Sequence, residues 1–464
     1  MRSGCDRWAP AIFDAAARAR AACALARAGP PLPRGGPLSI PQPPSNVRDV
    51  SSAAQQNRTQ SLRERDPEVA GWLLREDRRQ ATTLTLIASE NHCSAAVREA
   101  CQSRITDKYA EGYPSRRYYG GCEIADAVED LARTRAMTLF AASDANVQPH
   151  SGTSANIAAL VALAGPHGRI LGMALKAGGH LTHGHDKSHS GQLFTAVQYG
   201  VRPDDGRIDL DEVRRLAREH RPHVLIAGGS SYPRAIDYAA FRAIADEVGA
   251  ALLADIAHPA GLIAAGVMPS PVGIADVVTL TTHKTLRGPR GGMILAAPPL
   301  VRKIQSAVFP GAQGGPLMHQ IAAKAVAFGE ALAPPFKVYQ QRVRDNAAVL
   351  AAHLVEAGLA IVTGGTDSHI VLVDLRQRGV TGAAVEERAL MAGLSVNKNA
   401  VPDDPLPPMK TSGLRLGTAA ATSRGMGPDE MRRVADVIAA LVRGDDPAQL
   451  RPTIAELCDA FPLP

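Results

Sequence analysis

The sequence predicts an α/β fold, with a large domain on a mostly parallel sheet covered by helices on both faces and a smaller α/β domain after it. Three observations predict it. At 464 residues the chain is too long for one simple core, so two or three domains are expected. From about residue 125, helical patterns alternate with short apolar strands, the rhythm of βαβ units. Polar, glycine-rich clusters follow those strands, as they do where a parallel sheet gathers a site at the carboxyl ends of its strands.

Composition narrows the class. Hydrophobic residues make up 45% and charged residues 21%, near the average for a globular enzyme. No apolar run reaches the length of a membrane span. The formal charge is +6, but the lysines and arginines are interleaved with acids. An anionic small molecule fits that pattern better than nucleic acid does. Six cysteines (Cys5, Cys23, Cys93, Cys101, Cys122, Cys458) include no CxxC pair. Neither a disulfide framework nor a zinc module is indicated, and a reducing cytoplasm is the expected compartment.

Residues 1–60 carry eight arginines against three acids, with a proline-rich stretch from Pro30 to Pro44. A disordered, dispensable extension is expected there, an organelle targeting signal being the other reading. Order is expected from Asp66-Pro67-Glu68, a natural helix start, with a helix to about Arg79. Leu84 to Asn91 reads as a short apolar strand ending in polar groups. The loop Lys108 to Glu123 holds four of the eight tyrosines, a concentration that suggests ligand contact. Glu111 is its candidate acid or base, a solvated loop acid being the ordinary alternative. Residues 61–120 read as an arm and active-site segment, 121–332 as the large domain and 333–464 as the small one.

Four strand ends in the large domain carry candidate chemistry. His150 to Asn156 places Ser151, Gly152 and Thr153 at a helix start, where free N–H groups suit a phosphate and an ordinary cap would look the same. Gly178 to His189 holds four histidines (His180, His183, His185, His189). Their spacing matches no HExxH or zinc-ribbon pattern, so a ring at His180 stacking on a planar cofactor is expected rather than a metal ligand. After the strand Val224 to Ile226, Ser230 is within reach of a cofactor's phenolic oxygen. In Ala251 to His258, Asp255 lies in an otherwise buried strand and needs a partner; a protonated pyridine nitrogen is one.

The next strand, Asp276 to Leu280, ends at Thr281-Thr282-His283-Lys284-Thr285-Leu286-Arg287-Gly288-Pro289-Arg290-Gly291-Gly292. Lys284 follows Asp255 by 29 positions, one βαβ step. A lysine at a buried strand end near arginines is disfavoured as a cation and becomes a nucleophile for a Schiff base with pyridoxal phosphate. Taken alone, the stretch fits a surface lysine in a basic turn equally well.

Together these segments, with Ser306 to His319, Val396 to Asn399 and Thr411 to Thr418, resemble the serine hydroxymethyltransferase family over about residues 64–442. The resemblance implies a fold-type I pyridoxal phosphate transferase with a mostly parallel seven-stranded sheet. It implies reversible transfer of the serine hydroxymethyl carbon to tetrahydrofolate, giving glycine and 5,10-methylenetetrahydrofolate. It assigns Lys284 as the cofactor lysine, Asp255 as partner of the ring nitrogen and His180 as the stacked ring. It puts His258 and Ser230 by the phenolic oxygen and Ser151, Gly152 and Thr153 around the phosphate. Tyr109, Gly314 and Gly315 would reach that phosphate from a neighbouring subunit, in a homodimer or tetramer. Ser89 and Tyr119 would contact the amino acid, Glu111 would handle the proton at the hydroxymethyl end, and Arg415 would bind the carboxylate. Leu175, Gly179, His180 and Leu181 would form the folate wall. No metal, nucleic acid or membrane is implied.

The sequence departs from the family pattern at Ala177, at His185 to His189 and at Pro407-Pro408-Met409-Lys410, all expected near the folate or the substrate side chain. These changes leave a second reading: a relative acting on an α-methyl or β-hydroxy amino acid, such as a 2-methylserine hydroxymethyltransferase or a folate-independent aldolase or transaldolase.

Overall fold

The computed structural model describes residues 61–464; the extension expected over residues 1–60 lies outside the described residues. The first long helix, α1, spans Pro67–Thr82. It runs past Arg79 to Thr82, whose Oγ1 donates to Arg78 O at 2.9 Å. The strand expected from Leu84 to Asn91 is only Leu84–Thr85, paired in parallel with Leu394–Ser395. Beyond it the chain turns, with Glu90 N–H bonded to Ile87 O at 2.9 Å.

The large sheet has seven strands: β1 (Ala145–Asn146), β2 (Arg169–Met173), β3 (Thr195–Tyr199), β4 (Val224–Gly228), β5 (Ala251–Asp255), β6 (Val277–Thr281) and β7 (Gly292–Ala296). Their order is β1-β7-β6-β5-β4-β2-β3. Neighbours from β3 to β6 pair in parallel, and β7 runs antiparallel to both β6 and β1. The mostly parallel sheet expected from the alternation is therefore present.

Each central strand buries both faces, and residue parity decides which helices it meets. Leu225, Ala227, Leu252, Ala254, Val278 and Leu280 share a core with the helices α2 (Glu123–Phe140), α4 (Leu210–His220), α5 (Tyr238–Val248) and α6 (Met318–Ala331). Val224, Ile226, Leu253 and Val277 pack on the other face with Ala155, Ala158 and Ala159 of α3 (Gly152–Ala164). Asp255 has the parity of Leu253, and Thr279 and Thr281 have that of Val277. All three belong to the α3 face.

A second core forms around β9 (Ile370–Asp374) and β11 (Gly413–Gly417), the centre of an antiparallel sheet ordered β8-β9-β11-β10, with β8 at Ala360–Ile361 and β10 at Asn397–Asn399. Helix α7 (Pro334–Glu356) reaches both cores, with Phe336 in the first and Leu350 and Leu354 in the second. The helices α8 (Gly382–Met391), α9 (Pro428–Arg443) and α10 (Pro447–Ala460) cover that sheet. Leu84 and Leu86 also pack into this second core.

Candidate active site

Ser151 caps α3, its Oγ accepting the N–H of Ser154 at 3.1 Å. Among the described residues, the N–H groups of Gly152 and Thr153 have no protein acceptor. Both residues line a cavity of about 290 Å³ at the carboxyl ends of β4, β5 and β6. The positive end of a thirteen-residue helix therefore meets that space with free donors. A Cβ at Gly152 would stand 2.7 Å from Thr281 Cγ2, so only glycine lets α3 approach β6 this closely.

Asp255 opens onto the same cavity and is 7% exposed. Asn156 Nδ2 donates to its Oδ2 at 2.8 Å, His183 Nε2 meets the same oxygen at 2.9 Å and Ala257 N–H bonds Oδ1 at 3.0 Å. The His180 N–H donates to His183 Nδ1 at 3.3 Å, which puts the ring proton on Nε2, pointing at the carboxylate. Thr279 Oγ1 anchors Asn156 Oδ1 at 2.6 Å. Burial alone would raise the Asp255 carboxyl, but the bonds from His183 and Asn156 hold it well below the usual range. The acid is thus a permanent anion facing the cavity.

Lys284 is 8% exposed. Burial, opposed by Asp255 and aided by Arg415 and Arg290, lowers its pKa to about 8, so a useful fraction is the free amine at neutral pH. Its main chain is fixed by Asn91 Nδ2, which bonds Lys284 O at 2.8 Å and Tyr339 Oη at 2.9 Å. His180 also lines the cavity. Thr182 N–H donates to its Nδ1 at 3.2 Å, and burial lowers its pKa to about 4. It is a neutral ring, suited to lie against a planar π-system.

His258 is buried, and its ring stacks on His369 with centroids 5.5 Å apart and planes at 17°. His369 Nε2 lies 3.1 Å from Ala88 O and 3.3 Å from His258 Nδ1. Arg415, on β11, donates Nη1 to Ser230 O at 2.9 Å and Nε to Asn397 Oδ1 at 3.2 Å. Its Nη2 has no protein acceptor among the described residues, leaving donors for an anion in the cavity. Ser89 and Ser230 line the same wall.

A second cavity of about 300 Å³ adjoins the first through His180, Ser230 and Arg415. Leu175, Gly179 and Leu181 line it, facing Asn399, Leu406 and Pro408. A larger cavity of about 520 Å³ lies beyond Ser89 and His283, lined by Glu90, His92, Cys93 and Gln320, without Lys284. Of the residues that depart from the family pattern, only Pro408 lines any of these three cavities. Ala177 and His185 to His189 line none of them, whereas Leu175, Lys176, Gly179, His180 and Leu181 of the same segment line the second cavity.

Glu111 and Tyr119 form a different group. Tyr119 Oη donates to Glu111 Oε2 at 3.3 Å, and the Tyr109 and Tyr119 rings meet edge to face at 5.5 Å. A Cβ at Gly315 would touch the Tyr109 ring at 3.0 Å, and one at Gly314 would lie 3.6 Å from Glu111 Oε1. Within one chain Tyr109, Glu111, Tyr119, Gly314 and Gly315 are together, but none of them lines the cavity that holds Lys284. Tyr109 is 57% and Tyr119 49% exposed.

The residues present fit pyridoxal phosphate: an amine, a buried anion, a neutral ring and a helix start that a Cβ would close. His180, His183 and Asp255 also bring ligand atoms within 4.8 Å of one another, as a metal site would. However, His183 Nε2 and Asp255 Oδ2 already engage each other. Reading the sequence singled out His180 and not His183, and it missed Asn156, His369 and Asn397 as partners. The available signal for Asn156 was its place one turn beyond Gly152, as the last polar residue before the apolar run of α3.

A parallel sheet with a buried lysine and aspartate at adjacent strand ends, opposite a helix start, defines the fold-type I α/β transferases. The chain belongs to the serine hydroxymethyltransferase family, whose model matches residues 62–438. A serine hydroxymethyltransferase of Rhizorhabdus wittichii is 56% identical over 416 residues, covering 87% of this chain and 95% of the relative. Serine hydroxymethyltransferase 1 of Rhodospirillum rubrum is 56% identical over 407 residues, covering 86% and 94%. The Acidiphilium cryptum serine hydroxymethyltransferase is 57% identical over 413 residues, covering 87% and 96%.

Proposed function

We propose that this chain transfers the hydroxymethyl carbon of serine reversibly to tetrahydrofolate, giving glycine and 5,10-methylenetetrahydrofolate, with pyridoxal phosphate held at Lys284. The observation that carries the reading is the buried Asp255 carboxylate, kept ionised by His183 and Asn156 on the cavity wall that also holds Lys284. Bound pyridoxal phosphate supplies an electron sink for the bond broken at the substrate's α-carbon.

The chain's own residues do the rest. Ser151, Gly152 and Thr153 take the phosphate at the start of α3. Lys284 Nζ is the amine that tethers the cofactor, and Asp255 keeps a proton on its ring nitrogen. His180 would lie against the ring, and His258 and Ser230 would hold its phenolic oxygen. Arg415 takes the substrate carboxylate in a charge-assisted pair, with Ser89 beside it. Leu175, Gly179 and Leu181 hold the folate in the adjoining cavity.

Glu111 and Tyr119 handle the proton at the hydroxymethyl oxygen from a second subunit, whose Tyr109, Gly314 and Gly315 reach the phosphate. The exposed tyrosines, which gather next to Glu111 and away from their own chain's cavity, support a dimer or tetramer with shared sites. No helix among the described residues is long and apolar enough to cross a membrane. Four unpaired cysteines, Cys93, Cys101, Cys122 and Cys458, support a reducing compartment, and we place the enzyme in the cytoplasm.

Incubating the purified protein with L-serine, with and without tetrahydrofolate, tests the reading. Folate-dependent glycine formation is expected. Cleavage of other β-hydroxy amino acids with serine inert would overturn it.

A further inference from the structure

Lys324 takes no part in the chemistry above, yet it is a lysine only 1% exposed, on α6. Its Nζ donates to three main-chain carbonyls: Val147 O at 2.6 Å, Gly292 O at 2.8 Å and Pro149 O at 3.1 Å. Only the ammonium form has three N–H donors, so the geometry calls for the charged state. A buried cation opposes folding, and an apolar side chain of the same length would fill the space without that penalty. Burial pushes the Lys324 pKa down to about 7, opposed by the charge of Glu129, which is already paired with Arg117 at 2.7 Å, so it is the three carbonyls that favour the ammonium form.

The three carbonyls say what the charge does. Val147 and Pro149 lie in the segment joining β1 to Ser151, and Gly292 follows the turn that bears Lys284. Pro149 O also accepts the N–H of Gly292 at 3.0 Å. Two more groups of the segment are held by Gln313, whose Nε2 bonds Gln148 O at 2.8 Å and whose Oε1 accepts His150 N–H at 3.2 Å. A Cβ at Gly291 would strike Lys324 Cε at 2.5 Å and Nζ at 3.0 Å, so the glycine is what admits the lysine stem.

We infer that Lys324 is the positioning residue of the phosphate loop: its ammonium turns the carbonyls before Ser151 away from the cavity and pins the loop to the start of β7, leaving the Gly152 and Thr153 N–H groups aimed at an anion. The inference rests on the cofactor reading above.

Pyridoxal, which lacks the phosphate, separates these roles. Full-length, cofactor-free Lys324→Met and wild type are titrated with pyridoxal phosphate and with pyridoxal, following the absorbance of the bound form. The variant is expected to bind pyridoxal phosphate about 10-fold more weakly or worse, while its affinity for pyridoxal stays within about two-fold of wild type. Equal weakening of both ligands, which a general packing defect would give, overturns the inference, as does weakening of neither. A wild type that does not prefer pyridoxal phosphate to pyridoxal would refute the cofactor reading instead. If Lys324→Met does not fold, Lys324→Gln keeps two of the three donors and is read by the same comparison.

Discussion

The lysine that makes this site reactive should also weaken the protein without its cofactor. Burial lowers the Lys284 pKa from 10.5 to about 8, whereas an unfolded lysine keeps a value of about 10.4. Between those values the unfolded chain binds a proton that the folded chain has released, so stability rises with pH through that window. Below pH 8 the full penalty applies: at about 1.36 kcal/mol per pH unit it reaches about 3 kcal/mol. Lys284→Met retains the apolar stem and removes the charge. The cofactor-free variant should therefore be more stable than wild type at pH 7 by between about 1 and 3 kcal/mol, the lower figure allowing for water entry and relaxation. At pH 10 the folded amine is neutral while the unfolded one, with its pKa of about 10.4, is still about two-thirds charged, and the advantage should fall below about 1 kcal/mol. Urea unfolding of both proteins at the two pH values, with the slopes compared, measures it. A variant no more stable at pH 7, or equally favoured at both, would refute the claim that Lys284 is held in a desolvated, partly neutral state.

Further outcomes follow from the same geometry. Asp255→Asn keeps the shape but sets an amide where His183 and Asn156 both donate; the rate of glycine formation from serine and tetrahydrofolate should fall by about 100-fold or more, and a loss under about three-fold would exclude the carboxylate as the charge that matters. Arg415→Lys retains the charge and loses the planar fork, so KM for serine should rise about 10- to 100-fold with thermal stability little changed. Mixing Glu111→Gln with Lys284→Ala, each inactive by itself, and allowing subunits to exchange should restore about a quarter of wild-type activity, because half the dimers then carry one intact shared site. No recovery from the mixture would mean that each chain completes its own site.

How much of this was legible in the sequence depends on the range of the interaction concerned. The alternation of apolar strands and helices specified the parallel sheet, because residues buried on both faces leave few other ways to satisfy backbone and core together. The 29-residue step from Asp255 to Lys284 put both at adjacent strand ends, as chain geometry requires of a βαβ unit. The short strand Leu84–Thr85 was overestimated because its partner, Leu394–Ser395, lies some three hundred residues away and pairs with only two positions.

What the tertiary structure decided is which polar groups meet. Asn156 and His183 come from separate elements to meet one carboxylate, Thr279 anchors Asn156 from a third, and nothing local names Asp255 as the point where they converge. The departures at Ala177 and His185 to His189 adjoin Leu175 to Leu181 in sequence but line none of the three cavities. Glu111 and Tyr119 carry suitable chemistry yet stand apart from Lys284 in their own chain. Local periodicity records burial and strand order, since these depend on neighbours a few residues away. The direction in which a buried donor points is set by packing between distant segments, and that appears only once the chain is folded.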